Sequence, residues 1–395
     1  MEMNAKQRVL KTLNHEEPDK VPYTEHLIQN PKLAKQMGFG AGTSINISKL
    51  LEFLGNIKGL PSRINSILPK ILKRPHLYKG LLNIFNKRYF NFYKHLGVDL
   101  GVFSIAPNSY FKYVHPNYII NEFGHKYELK TLMGQFSTYY VGGVLSSEEK
   151  YDEFPKLDTE QNLGFDLFEA ATKHISDEEI YVVPGIFNGI FDSISLGLGL
   201  EHFSRVLVKN QSFLRKMIAD REKFYTALIK KAIDVTGTEV FMIGDDLAYN
   251  SGPFISPRYF NKFFLPSYKR ISNMAHERGV KLVFHTDGDI RPLIDGLIDC
   301  FDSIHPLQAS ANIDIFNIKE KYGDKVCLEG NVPIELLVHE TPQKVADYVK
   351  TLIKECAPGG GYMLSSGNSI VPEVPPKNYV AMLKTFRKYR NYPIN

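Results

Sequence analysis

Short apolar runs alternate with longer amphipathic stretches along most of this chain, and the alternation is most regular after residue 151. Apolar runs predict buried strands, whereas apolar residues at intervals of three and four predict helices. The predicted strands span 21–23, 98–104, 181–186, 240–244, 282–285, 303–305, 326–330 and 362–365. The main predicted helices span 164–175, 200–235, 257–278, 290–297, 313–321 and 342–355. Eight strands separated by helices predict an α/β fold, the (β/α)8 TIM barrel.

Two segments depart from this alternation. From about residue 50 to 95, helical and loop-like sequence interrupted by glycine and proline predicts an N-terminal helical insertion. From about residue 121 to 144, alternating apolar and polar positions predict a β-hairpin that projects from the barrel. Because no change in composition marks a linker, the sequence predicts a single domain over residues 1–395.

Polar side chains follow nearly every predicted strand. Functional side chains of a barrel gather at the carboxyl ends of its strands, so these residues should line a polar pocket at the barrel mouth. In chain order they are Tyr23, Glu25, His26, Ser104, Asn188, Asp245, Asp246, His285, Asp287, His305, Gln308, Glu329, Asn331, Ser365, Ser366 and Asn368.

Composition narrows the class of protein. The chain is 43% hydrophobic and 23% charged, as in ordinary globular proteins. Its three cysteines are too few and too scattered for a disulfide framework, and the N-terminus is polar and helix-like, so we expect a cytoplasmic protein. No apolar run approaches the roughly 20 residues of a spanning helix.

The net charge of +5 is modest, and much of the local excess lies between Lys58 and Lys94, where basic and apolar residues are interleaved. This stretch is compatible with a surface for an anionic substrate, a membrane or nucleic acid. We favour a solvated helical insertion, because no nucleic-acid-binding motif accompanies it. We therefore expect neither nucleic acid nor membrane as a partner.

The segment KLVFHTDGDI contains the most informative strand end. His285 and Asp287 lie two residues apart, so strand alternation points both side chains the same way, and Gly288 allows the chain to turn. The pair is interpreted either as metal ligands or as an acid and base. The alternative is a structural pair that closes the loop, with Asp287 or Asp289 capping the next helix.

Three further strand ends carry candidate chemistry. Of the adjacent acids Asp245 and Asp246, at least one should face the cleft, while the other caps or forms an ion pair. Glu329 follows an apolar strand and needs a partner such as His285, a metal or Arg291. His305 could lie beside it, although a lone histidine of this kind is more often a satisfied core residue.

Six motifs, taken together, resemble the uroporphyrinogen decarboxylase superfamily, which also holds cobamide-dependent methyltransferases. They extend from residue 8 to about 380 and read RVLKTLNHEEPDKVP, NEFGHKYELK with YYVGGVLSSEE, GDDLAYNSGPFISPRYFNKFFLPSYKRI, HTDGDIRPLI, LEGNVP and APGGGYMLSSGNSI. The resemblance implies a barrel with a deep cleft at the carboxyl ends of its strands.

The residues depart from both chemistries of the superfamily. The arginine-rich segment with which the decarboxylases hold substrate carboxylates is replaced by VPYTEHLIQNP, and Asn368 replaces a late histidine. The methyltransferase branch implies a zinc site of one histidine and two cysteines, and those positions here are His285, Asp287 and Asn368. With both sulfurs absent, a harder divalent metal or a zinc with bound water is the better match.

We therefore predict a corrinoid-linked, methyltransferase-like enzyme that acts on a small molecule. The predicted catalytic residues are His285, Asp287, Asp245 and Glu329, and a divalent metal such as zinc would be held by His285, Asp287 and Glu329. The corrinoid would come on a separate protein, and pairing into a homodimer is compatible with the fold. The predicted substrate-binding residues are Tyr23, His26, Asn188, Asp246, His305, Gln308, Ser366 and Asn368.

Two alternatives stay open at this point. The first is a decarboxylase of uroporphyrinogen or of another carboxylate. The second is a ligand-binding barrel without catalytic activity, because two positions of the resembled metal site have lost their sulfur ligands.

Overall fold

The computed structural model describes residues 2–39, 89–105, 111–114, 117–132, 135–160, 163–173 and 175–394. Seven strands form one parallel sheet, each of them paired with its neighbours in the order of the chain. In that order they are Leu100–Ser104, Tyr181–Phe187, Val240–Gly244, Lys281–His285, Ser303–His305, Cys327–Val332 and Tyr362–Ser366.

The sheet closes through a short segment near the N-terminus. Tyr23 pairs in parallel with Leu364 of the last strand, and Thr24 pairs in parallel with Leu100 of the first. The Thr24 N–H donates to the Leu364 oxygen at 3.0 Å, and the Asp99 N–H donates to the Tyr23 oxygen at 2.7 Å. This segment is the predicted strand 21–23, so the predicted (β/α)8 barrel is confirmed.

The barrel has two apolar layers that follow the alternation of its strands. One layer lies inside the barrel and contains Leu100, Tyr181, Val183, Val240, Met242, Val283, Cys327 and Met363, together with Ala5, Val9 and Leu13 of the first helix. Residues at intervening positions, such as Phe241, Leu282 and Phe284, pack against the surrounding helices. The first helix therefore closes the amino-terminal end of the barrel, and the opposite end holds the cleft.

Ion pairs fix this closed end. Arg8 is 4% exposed, and its guanidinium contacts Asp99 Oδ1 at 2.6 Å and Asp19 Oδ1 at 2.8 Å. Arg390 reaches the other oxygen of Asp99 at 2.7 Å. Because Asp99 also accepts the Tyr23 N–H at 2.9 Å, the network ties the closing segment to both ends of the described chain.

The described α-helices span Ala5–Leu13, Pro31–Gln36, Glu148–Glu153, Leu163–Thr172, Ile190–Leu198, Leu200–Lys209, Gln211–Thr236, Pro257–Phe263, Leu265–His276, Ile294–Ile298, Ile315–Tyr322, Ile334–His339, Pro342–Cys356 and Pro376–Tyr389, and residues 89–96 are also helical. Short 3-10 helices occupy Arg291–Leu293 and Ala309–Ala311. None of the described helices combines the length and the apolar character needed to span a bilayer.

Local sequence explains where these helices begin and break. Pro342–Cys356 begins after Thr341, whose side chain accepts from the Lys344 N–H, and its buried face repeats at Val345, Val349 and Leu352. The helix predicted over 200–235 breaks at Asn210, which caps the next helix by accepting from the Phe213 N–H. The helix predicted over 257–278 likewise divides at residue 264, just before a proline.

A second, antiparallel sheet stands beside the barrel. Its four strands are Phe111–Val114, Tyr118–Asn121, His125–Leu132 and Gln135–Gly143. The last two occupy the place of the predicted hairpin, and the first two were missed from sequence because they are only four residues long. Most of the predicted insertion of residues 50–95 lies outside the described residues.

Candidate active site

Three histidines meet at the mouth of the barrel. The register of the sheet places His285 directly beside His305, and their Nδ1 atoms lie 2.7 Å apart. His26, two residues beyond the closing segment, stacks on His305 with ring centroids 3.7 Å apart, and its centroid lies 5.7 Å from that of His285. All three residues were predicted from the sequence to lie at the mouth, but nothing in the sequence indicated that their rings would stack.

Burial governs the protonation of two of these rings. Burial lowers the pKa of His26, although Glu329 opposes the shift. Burial also lowers the pKa of His305 well below its usual value, and the neighbouring His26 and His285 add to the effect. Both rings are therefore neutral near neutral pH.

His285 and Asp287 lie together as strand alternation predicts. His285 Nε2 is 4.0 Å from Asp287 Oδ1, and Asn368 donates its side-chain N–H to Asp287 Oδ2 at 2.9 Å. Burial raises the pKa of Asp287, and the neighbouring charge of Asp246 adds to this, while His285 and Asn368 oppose it. Asp287 Oδ1 is buried and accepts no hydrogen bond from the part of the chain that the structure describes, which leaves it able to take a cation or a donor group.

Three acids follow one another along this side of the mouth. The Asp287 N–H donates to Asp246 Oδ1 at 3.0 Å, and the Asp246 N–H donates to Asp192 Oδ2 at 2.9 Å. Burial, followed by the charges of Asp245 and Asp246, raises the pKa of Asp192 well above its usual value. The arrangement concentrates negative charge beside His285.

Asp245 does not face the cleft, which corrects our assignment of this residue as catalytic. It is 1% exposed, and its carboxylate accepts the N–H groups of Phe191 at 2.8 Å and Asp192 at 2.7 Å, together with the hydroxyl of Tyr268. These partners place it at the start of the helix Ile190–Leu198. Burial nevertheless raises the pKa of Asp245 to about 7. Asp246 is the member of the pair that lies near His285.

Glu329 is fully buried and pairs differently from the prediction. Its Oε1 accepts from Ser303 Oγ at 2.6 Å, and its Oε2 lies 3.9 Å from His26 Nε2. Arg291 pairs instead with Asp289, at 2.8 Å. The three predicted metal ligands His285, Asp287 and Glu329 are therefore not grouped around one point. Glu329 lies beside His26, whereas Asp287 lies beside His285.

Two predicted substrate-binding residues are buried beneath the mouth. The Tyr23 hydroxyl contacts Glu25 Oε2 at 2.8 Å and the Tyr379 hydroxyl at 2.5 Å, while Ser366 donates to Glu25 Oε1. Tyr23 is fully buried and Ser366 is 1% exposed, so neither lines the cleft. Burial raises the pKa of Glu25 to about 7 despite these hydrogen bonds.

The other two predicted contacts lie at strand ends. Asn188 has a φ of 74°, and its backbone oxygen accepts from the Tyr225 hydroxyl. Gln308 accepts the Gly288 N–H at 2.7 Å, which fixes the turn after Asp287. That turn requires glycine, since Gly288 has a φ of +87° and a Cβ there would lie 2.3 Å from the Ala248 oxygen.

Two residues of the site, Asp192 and Phe187, were not predicted from the sequence. Asp192 lies in the first turn of the helix that follows a barrel strand, a place from which side chains reach the mouth. Phe187 ends that strand, is 37% exposed, and meets His285 edge-on with centroids 6.1 Å apart. Phe187 could have been found from the sequence, because it is an apolar residue at the end of a barrel strand, where solvent is expected.

Among the described residues, two groups of side chains are close enough to hold a metal ion. The first is His26, His285 and His305, and the second is Asp246, His285 and Asp287. The ring planes of the first group differ by only 24° to 27°, so the three rings are nearly parallel. Because an imidazole nitrogen binds a metal in the plane of its ring, three stacked rings cannot all point at one ion. The second group, with mixed nitrogen and oxygen ligands, is the better metal site.

Comparison with known proteins gives concordant matches. A family model described as uroporphyrinogen decarboxylase (URO-D) matches residues 137–389, more than half of the chain. A uroporphyrinogen decarboxylase of Pseudoalteromonas translucida (strain TAC 125) is 26% identical over 253 residues, which are 59% of this chain and 66% of that protein. One from Chlorobaculum tepidum is 22% identical over 61% of this chain and 69% of its own.

A solved structure shares the fold over nearly the whole chain. A methyltransferase from Methanosarcina mazei superposes with a TM-score of 0.63 and covers 98% of this chain and 99% of its own. At 16% sequence identity, this likeness concerns the barrel architecture alone.

Proposed function

The chain belongs to the uroporphyrinogen decarboxylase family, and from that premise we propose that it is a corrinoid-linked methyltransferase that acts on a small molecule at the barrel mouth. One observation carries the proposal. The mouth carboxylates Asp246 and Asp287 contact only histidine, amide and backbone N–H groups among the described residues. A polycarboxylate would meet repulsion there instead of the arginine pairing that it requires.

The residues of the mouth suit a small reactant with a transferable proton. His285 is held on one side by His305 at Nδ1 and faces Asp287 from Nε2. Asp287, whose pKa is raised by burial, is a carboxyl group able to hold or release a proton beside this ring. Phe187 covers the edge of His285 and limits its contact with water.

The resemblance to zinc-dependent methyltransferases raises the question of a metal. The orphaned oxygen of Asp287 and the nearby His285 and Asp246 fit a divalent cation with nitrogen and oxygen ligands. They do not fit a thiolate-type zinc, since Asn368 uses its amide N–H on Asp287 and its oxygen on the Ser369 N–H. A divalent cation bound there would act as a Lewis acid toward the reacting group.

The corrinoid, in this proposal, is carried by a separate protein that docks over the mouth. The described residues form the barrel, its helices and the four-stranded sheet, and none of these elements resembles a corrinoid-binding domain. The mouth would then hold the small-molecule partner while the corrinoid approaches from outside.

The test is a methyl-transfer assay with purified protein, methylcobalamin and a panel of small thiols and amines. The reaction is monitored by the loss of the methyl–cobalt absorbance. We expect turnover that falls by about 100-fold or more in His285→Ala, with Asp314→Asn, a change at a distant helix cap, as the control. Metal analysis of both proteins and of Asp287→Asn tests the cation site separately.

A second candidate, decarboxylation, is favoured by the names of the curated relatives. The same preparations are therefore incubated with uroporphyrinogen, and the products are separated by chromatography. Release of decarboxylated porphyrinogen without methyl transfer would replace our proposal with this one. If neither reaction of the parent protein exceeds that of His285→Ala, both assignments, methyl transfer and decarboxylation of uroporphyrinogen, are refuted.

A further inference from the structure

His26 and Glu329 form a second pair of buried groups that the proposed chemistry leaves unused. Both ring nitrogens of His26 and the Oε2 atom of Glu329 are buried and have no hydrogen-bond partner among the described residues. Buried polar groups without a partner cost free energy, so native proteins retain few of them, and those few are often functional. Here three such atoms come from two residues whose side chains face each other, with His26 Nε2 3.9 Å from Glu329 Oε2.

The two residues have different access to the cleft. The His26 side chain is 11% exposed, whereas that of Glu329 is fully buried behind it. Glu329 is held from below, because its Oε1 accepts from Ser303 Oγ at 2.6 Å. A ligand in the cleft therefore meets His26 first, and Glu329 acts only through His26.

The ring of His26 is also restrained in orientation. It stacks on His305 at 3.7 Å, and the His26 backbone oxygen accepts from the Tyr93 hydroxyl at 3.3 Å. The separation of 3.9 Å between His26 Nε2 and Glu329 Oε2 is longer than a hydrogen bond but within the range of an ion pair, and no other described residue partners either atom. A carboxylate accepts hydrogen bonds only, so the ring nitrogen that approaches Glu329 must carry the proton.

We propose that Glu329 fixes His26 in the tautomer protonated at Nε2, and that His26 Nδ1 accepts a hydrogen bond from the substrate. The substrate group next to His26 then carries a donor, as a thiol, a primary or secondary amine or a hydroxyl does, whereas a thioether or an ether lacks one. His26 is the substrate-binding residue and Glu329 is its positioning residue. This inference rests on the proposed function in one respect only, namely that a small molecule occupies the mouth.

The tautomer is measured directly by nitrogen NMR of protein labelled with 15N-histidine. We expect the His26 signals, assigned by their absence from His26→Phe, to show a protonated Nε2 and an unprotonated Nδ1. Glu329→Gln offers an amide N–H to Nε2 and should reverse the two assignments. Glu335→Gln, at an exposed position nearby in sequence, is the matched control and should leave them unchanged. A wild-type ring protonated at Nδ1 overturns the inference even if Glu329→Gln fails to fold.

The substrate part is tested in the same spectra by adding either ethanethiol or ethyl methyl sulfide. We expect the thiol alone to shift the Nδ1 signal, with an apparent affinity about tenfold weaker in Glu329→Gln. Equal shifts with both probes, or no shift with either, refute the role of Nδ1. Neither NMR measurement requires turnover. Failure of the methyl-transfer assay would therefore refute the proposed function without deciding the roles of His26 and Glu329.

Discussion

The Nδ1 atoms of His285 and His305 lie 2.7 Å apart, a distance at which one nitrogen must donate to the other. Because burial keeps His305 neutral, the two rings share a single bridging proton and cannot both be protonated at Nδ1. The pairing also leaves His285 Nε2 to face Asp287, so the contact between the two rings sets the direction in which His285 acts.

The bridging proton should be visible in solution. We expect one imidazole N–H resonance at unusually low field in the proton spectrum, with slow exchange because His305 is 3% exposed. It should vanish in His305→Phe, which keeps an aromatic ring under His26, and persist in His26→Phe. A spectrum that is the same in His305→Phe as in the parent would show that the two nitrogens do not share a proton.

Removal of Asp245 should mainly lower the stability of the protein, whereas removal of the neighbouring Asp246 should mainly weaken metal binding. Asp245→Ala strips three donors of their acceptor, so we expect the free energy of unfolding to fall by about 2–4 kcal/mol. Asp246→Ala removes a half-buried group at the mouth, so we expect a loss below about 1 kcal/mol, with weaker metal binding. Urea unfolding and metal titration of both variants test the contrast, and the reverse order of stability would refute the assignment.

The closed end of the barrel should be sensitive to loss of a buried charge. Arg8→Ala leaves Asp19 without its arginine and Asp99 with only Arg390, so we expect a loss of about 3–5 kcal/mol. Thermal or urea unfolding measures it. Lys11→Ala removes a half-buried charge from the same helix, paired with the exposed Glu16, and should change stability by less than about 0.5 kcal/mol. Similar losses in the two variants would mean that the buried network contributes little.

Asp302 should make stability depend on pH in the acid range. Burial alone would raise its pKa, but hydrogen bonds from His276 and the Leu282 N–H, with the nearby Lys281, hold the pKa of this carboxyl below its usual value. A lowered pKa means that the stabilisation is complete above the unfolded value of about 3.9 and disappears as pH falls through the folded value.

Comparison of the parent with Asp302→Asn tests this sign. We expect the variant to be less stable by about 2 kcal/mol at pH 7, and the difference to shrink as the pH is lowered below about 4. Asp299→Asn, which removes an exposed partner of Lys269, serves as the control. The prediction is falsified if the difference between parent and Asp302→Asn grows as the pH falls from 5 to 3.

The fold was largely predictable because each barrel strand is a buried apolar run with a clear boundary. Even the segment at Tyr23, which forms only isolated bridges, was identified by the short run 21–23, which follows Pro18, contains Pro22 and precedes polar residues. The short strands Phe111–Val114 and Tyr118–Asn121 were missed, since four residues carry too little periodicity to separate a strand from a loop.

The membership of the site was more predictable than its pairings. His26, His285 and His305 could be predicted as site residues because they end or follow strands, and a parallel barrel brings all such positions to one mouth. Strand alternation required Asp245 and Asp246 to diverge, but the sequence does not specify which one faces the helix Ile190–Leu198. The proximity of Glu329 to His26 in place of Arg291 depends on side-chain directions around the closed barrel, which no local pattern records.

The closure of the barrel at Tyr23 and Thr24 has a consequence for the order in which the protein folds. Their partners Leu364 and Leu100 belong to the last and first strands of the sheet, so closure depends on contacts between distant parts of the chain. Contacts of such long sequence separation form slowly, because a large loop must be ordered first. His26 follows this segment, so an unclosed barrel would hold His285 and His305 without it. Stacking of His26 on His305 is therefore expected only in molecules whose barrel has closed.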